Sequence, residues 1–138
     1  MTQINAYLHF DGNCREAMTF YKGCLGGELV LQIVEDSPIA DQMPQEARQD
    51  ILHSTLTTGG FVLMASDMMP APRVRGNSVS LCIACSSEEE LSRFFSSLSS
   101  GGNVTCPVGK QFWGATFGAL TDQYGVNWLL NYDKDSKE

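Results

Sequence analysis

Apolar positions along this chain first alternate with polar ones, then recur every three or four residues, then alternate again, and the whole progression happens twice. Ile4 to Phe10 alternates in the manner of a half-buried strand. Asp11-Gly12-Asn13 follows as a turn, and Asn13 with Glu16 three residues later predicts a capping box at a helix start. Ala17, Phe20, Tyr21 and Cys24 then fall at i, i+3, i+4 and i+7, which is one apolar helix face, and Gly26-Gly27 ends it. Strands are expected at Glu28 to Glu35, Ile51 to Thr58 and Phe61 to Ser66, with Thr58-Gly59-Gly60 as a hairpin turn.

The second half repeats this order. Val79 to Cys85 is strand-like, Ser87 with Glu90 forms a capping box, and Leu91, Phe94, Phe95 and Leu98 restate the helical spacing before Gly101-Gly102. Strands follow at Val104 to Pro107, Ala115 to Thr121 and Asn127 to Tyr132, the last two joined through Asp122-Gln123-Tyr124-Gly125. Each half is therefore expected to be β-α-β-β-β, an α+β arrangement in modules of about residues 1–70 and 75–138. Between them, Met68-Met69-Pro70-Ala71-Pro72-Arg73 reads as a proline-stiffened link. Residues 36–50, with Pro38 and Pro44, break the pattern and read as a mobile loop or a short helical insertion.

Composition narrows the function classes. At 138 residues the chain holds one domain or two half-size modules, and 43% hydrophobic with 18% charged residues suits an ordinary globule. A net charge of -7 leaves no basic face for nucleic acid. No stretch approaches the ~18 apolar residues of a membrane helix, and the opening residues lack a secretory pattern, so a cytoplasmic location and no membrane partner are expected. No phosphate-cradling glycine loop, zincin motif or nucleophile elbow occurs.

The five cysteines, Cys14, Cys24, Cys82, Cys85 and Cys106, form no paired CxxC set for zinc. Cys82-Ile83-Ala84-Cys85 lies on a strand-like run rather than opening a helix, so buried structural thiols are expected instead of redox chemistry.

Tyr7-Leu8-His9-Phe10-Asp11-Gly12-Asn13, Phe20-Tyr21-Lys22 and Leu25-Gly26-Gly27, within the tandem repeat, resemble the vicinal-oxygen-chelate superfamily of glyoxalases, bleomycin-resistance proteins and extradiol dioxygenases. Phe112-Trp113-Gly114-Ala115 followed by Leu120-Thr121-Asp122-Gln123-Tyr124-Gly125-Val126-Asn127-Trp128 resembles its PhnB-like subgroup. The resemblance implies strands curved into a cup-shaped mixed sheet with helices on the outer face, a ligand inside, and a second subunit completing a homodimer. In metal-dependent relatives it implies four ligand positions, which here fall on Asn5, Met64, Ser78 and Leu129. Met64 and Leu129 offer no hard donor and Asn5 and Ser78 are neutral, so no metal and no cofactor are expected.

Alternation puts Asn5, Tyr7 and His9 on one strand face, and His53 with Thr55 on one face of another. His9 and His53 read either as a proton-handling pair or relocated metal ligands, or as hydrogen-bonded polar lining. Phe112 and Trp113 are either an anchor under a loop or one wall of a pocket, Asn127 faces inward, and Trp128 packs against a helix. Asp67 reads as a cap and Glu88-Glu89-Glu90 as a helix first turn. The leading expectation is a protein that binds a small organic ligand through Asn5, Tyr7, His9, His53, Thr55, Phe112, Trp113 and Asn127. The alternatives are a metal-dependent lyase, isomerase or dioxygenase using His9, His53 and an acid such as Glu35, and an interaction protein with no small-molecule role.

Overall fold

Helix α1 (Cys14–Leu25) forms where the spacing placed it, and its buried stripe is Cys14, Ala17, Met18, Tyr21, Cys24 and Leu25. Met18 rather than Phe20 completes that stripe: Phe20 lies toward its margin and stays half-buried. Helix α2 (Glu88–Leu98) buries the expected Leu91, Phe94, Phe95 and Leu98. These faces cover one side of two separate sheets in the computed structural model, which describes residues 2–68 and 73–134.

In the first unit, Met1–Val74, strands β1 (Ala6–His9), β2 (Glu28–Ile33), β3 (Ile51–Thr57) and β4 (Val62–Ser66) lie in the order β1-β4-β3-β2. In the second, Arg75–Glu138, β5 (Leu81–Ala84), β6 (Asn103–Lys110), β7 (Thr116–Thr121) and β8 (Asn127–Tyr132) lie in the order β5-β8-β7-β6. β1 runs parallel to β4 and β5 to β8, while the remaining neighbours are antiparallel. Both units are thus β-α-β-β-β mixed sheets with a helix on one face, the expected α+β plan. Of the expected link, Met69, Pro70, Ala71 and Pro72 lie outside the described residues.

Several boundaries move, each for a local reason. β1 is shorter than Ile4 to Phe10 because its partner β4 offers only four register positions, so Asn5 precedes the strand and is exposed. β5 is likewise limited to Leu81–Ala84 by pairing with β8. β6 outruns Val104 to Pro107: register shifts on both sides of Cys106 accommodate Pro107, which has no N–H to give to the ladder. β2 stops at Ile33, and three short 3-10 turns at Val34–Asp36, Ala40–Gln42 and Gln45–Ala47 follow. The 36–50 segment is therefore the helical-insertion alternative, anchored by buried Val34 and Ala40 and by Val34 N–H donating to the Asp50 carbonyl at 3.0 Å.

Asn13 does not cap α1 through its side chain. The capping acceptor comes from the far end of β4: Asp67 Oδ1 accepts from Gly12 N–H at 2.8 Å and Cys14 N–H at 3.0 Å, and Oδ2 accepts from Ile51 N–H at 2.8 Å. One carboxylate thereby ties β4, β3 and the positive end of the α1 dipole together. α2 is capped locally as expected, with Glu90 N–H donating to Ser87 Oγ at 3.0 Å, while the Glu90 carboxylate reaches back to Ser86 N–H at 2.9 Å.

In the second unit Asp122 accepts from Tyr124 N–H at 2.8 Å, Val126 N–H at 3.1 Å and the Trp128 indole N–H at 2.8 Å. That fixes the β7–β8 turn and holds Trp128 in the core, 3% exposed. Beneath α2, Gly118 is required by packing: a Cβ there would sit 2.8 Å from Phe95 Cε2 and 2.9 Å from Val108 Cγ2. No helix among the described residues is long and apolar enough to cross a membrane.

Candidate functional site

Alternation divides the first sheet into two chemically distinct faces. Ser54, Leu56, Leu63 and Ala65 are buried on the α1 side. On the other side the register lines up Tyr7, Met64, Thr55 and Val30 across β1, β4, β3 and β2. One step along, His9 pairs with Ser66 and His53 with Gln32. Because successive side chains change face, both histidines share the open face with Tyr7 and Thr55.

The side chains converge there. The Tyr7 ring lies 5.3 Å from the His9 ring and 5.8 Å from the His53 ring, tilted by 35° and 36°. Tyr7 Oη and His53 Nδ1 are 3.3 Å apart, and the histidine tautomer decides which donates. His9 Nδ1 is buried and has no hydrogen-bond partner. The cluster thus offers aromatic faces, a phenol and two imidazoles, groups that donate, accept or pass a proton without a permanent charge.

Of the expected ligand residues, Tyr7, His9, His53 and Thr55 are brought together and Asn5 is left ahead of the strand. Val30, Gln32 and Met64 join the face, and sequence reasoning did not select Val30 or Gln32 because cross-strand register is invisible in alternation alone. Asn127 is occupied elsewhere: its Oδ1 accepts from Thr121 Oγ1 at 2.9 Å, and its Nδ2 donates to the carbonyls of Gly76 at 3.1 Å and Val79 at 3.2 Å. It pins the approach to β5. Phe112 and Trp113 occupy the centre of a turn closed by Gly114 N–H donating to the Gln111 carbonyl at 2.9 Å. Neither is buried as an anchor, since Phe112 is 98% and Trp113 52% exposed.

The thiols do not form a redox site. Burial pushes the Cys14 thiol up to about 12, with Asp67 adding repulsion, and pushes Cys85 up to about 11. Partial desolvation by its strand neighbours also raises Cys82, although its surface is exposed. A reactive CxxC needs a lowered thiol pKa. Buried structural thiols describe Cys14, Cys24 and Cys85, whereas Cys82 is exposed and Cys106 half-exposed because both lie on the open side of the second sheet.

At the four positions where the resemblance implies metal ligands, the chemistry does not fit a hard divalent ion. Asn5 and Ser78 are exposed and neutral, and Met64 and Leu129 carry no oxygen or imidazole donor. Among the described residues no group of three or more His, Cys, Asp or Glu side chains is placed to hold a metal. Glu35 is engaged by Gln49 Nε2 at 2.9 Å.

Residues 2–131 match the family described as 3-demethylubiquinone-9 3-methyltransferase. The chain is 31% identical to Protein YjdN of Escherichia coli (strain K12), covering 95% of each. It is similar to the crystal structure of protein PA1353 from Pseudomonas aeruginosa, at 40% identity and a TM-score of 0.86, covering 98% of this chain and 100% of that one. A PhnB protein from Bacillus cereus is 28% identical with a TM-score of 0.77, covering 95% of this chain and 99% of that one. Solved glyoxalase/bleomycin resistance proteins of lower identity share the fold. With the tandem β-α-β-β-β plan and a family match across nearly its whole length, the chain belongs to the PhnB-like family of the vicinal-oxygen-chelate superfamily.

Proposed function

We propose that this protein binds a small organic molecule, without a metal, on the open face of its first sheet, where Tyr7, His9, His53 and Thr55 gather. The observation that carries this is the convergence of the three rings, with His9 Nδ1 shielded and unpartnered beside them. Buried polar atoms are nearly always paired, and an orphan in a ring cluster supports a place that a bound molecule completes. The family description names a methyl transfer, but β1 leads into α1 through Asp11-Gly12-Asn13, which is no glycine-rich cofactor loop. As the superfamily resemblance implies, the working unit is a homodimer, and size-exclusion chromatography returning a monomer would remove that part.

A thermal-shift screen of oxygen-bearing aromatic fragments tests the binding site. Binding to the native state alone raises the melting temperature. Hits that leave the Trp113 indole N–H signal in place are expected to lose their shift in His9→Ala and His53→Ala, and such hits that stabilise both variants as strongly as the parent would place binding elsewhere. A stoichiometric Ni, Zn, Mn or Fe in protein purified without chelators would overturn the metal-free part and favour a metal-dependent enzyme.

A further inference from the structure

The open face of the second sheet carries a different chemistry. One row runs Cys82, Leu129, Ala119 and Cys106, and the next holds Asn131, Phe117 and Gly109. None of these side chains is charged, in a chain of net charge -7. Trp113 and Phe117 meet at 6.2 Å with their planes 66° apart, and Phe112 stands 5.0 Å from Trp113 at 89°. Beside Phe117 the paired position is Gly109, where an added Cβ would find nothing within 4 Å. The result is a corner of two steeply inclined aromatic walls with no side chain on one flank.

Turn geometry does not account for these rings. The central positions of a tight turn usually hold small or polar residues, and two large aromatics exposed there cost solvation without serving the core. Edge-to-face and offset contacts are what a flat ring makes in such a corner, and an uncharged lining disfavours an ionised guest. We propose that the Trp113–Phe117 corner binds an uncharged planar aromatic molecule, or the aromatic part of one. The inference rests on the second unit alone and stands or falls independently of the histidine face.

The indole N–H signals of the chain's two tryptophans report on it by NMR, since Trp128 is buried and bonded to Asp122. Titration of the full chain with 1-naphthol is expected to move the Trp113 signal and leave that of Trp128. Decahydro-1-naphthol, similar in size but not flat, should bind roughly tenfold more weakly, as an aromatic contact supplies about that ratio. Gly109→Val adds a β-branched side chain to a strand position with open space, so it should fold and weaken 1-naphthol by a similar factor. The proposal is overturned by equal binding of the two alcohols, by unaltered binding in Gly109→Val, or by no movement of the Trp113 signal. It is equally overturned if that signal moves when protein alone is concentrated, because a second copy of the chain would then be the occupant.

Discussion

Asp67 and Asp122 are the buried carboxylates of the two units, and they serve different ends of one shared plan. Asp67 reaches from the end of β4 to the start of α1 and to β3, so the first unit depends on a contact between distant parts of the chain. Asp122 closes its own hairpin and the Trp128 indole beside it, while α2 begins with a local Ser87 cap. The open faces differ in the same spirit: three polar rings on the first sheet, thiols, small apolar residues and an aromatic corner on the second. Duplicating a topology therefore does not duplicate its supports or its sites.

Breaking Asp67 should have the largest effect. Asp67→Ala strands two N–H groups at the start of α1 and one on β3, and about 3 kcal/mol or more of stability should be lost in urea unfolding. Asp122→Ala should cost less, about 2 kcal/mol, since the backbone bonds between Asp122 and Val126 and from Gly125 remain. It should also shift Trp128 emission to the red, which Asp67→Ala should not do directly. Equal losses with no change in emission would contradict the division of labour drawn between the two carboxylates.

The two caps sharpen the contrast further. Ser87→Ala should cost about 1 kcal/mol, whereas Asn13→Ala, whose side chain caps nothing, should stay within a few tenths. A larger loss at Asn13 would return α1 to local capping.

The smallest effect concerns Asp50. Burial, then repulsion from Asp67 and Asp11, raises its pKa, so the native state holds the proton more tightly than the unfolded chain. That contribution favours folding below the unfolded pKa and is lost as pH rises through the folded one. Asp50→Asn should therefore raise the melting temperature slightly at neutral pH, by on the order of a degree, and leave it unchanged in acid. A lower melting temperature at neutral pH would show that Asp50 makes a favourable contact as an anion.

What was legible in the sequence follows from period. Leu91, Phe94, Phe95 and Leu98 lie where their spacing put them, and the order of strand, helix and three strands follows from repeated turns and caps. That Tyr7, His9, His53 and Thr55 share a sheet face was legible because alternation reports which face a side chain takes. The Asp67 cap on α1 and the Gly109 gap beside Phe117 were not legible, because both join residues far apart in the chain and depend on register rather than period. Alternation gives the direction of Asn127 and not its partners, which are the Thr121 hydroxyl and the Gly76 and Val79 carbonyls before β5.

The chain's two histidines make the most direct test of the proposed site simple to read. With imidazole nitrogens labelled with 15N, a fragment that raises the melting temperature while leaving the Trp113 indole signal in place should move the signals of both His9 and His53, the buried Nδ1 of His9 included. Stabilisation by such fragments with both imidazoles unmoved would contradict the account.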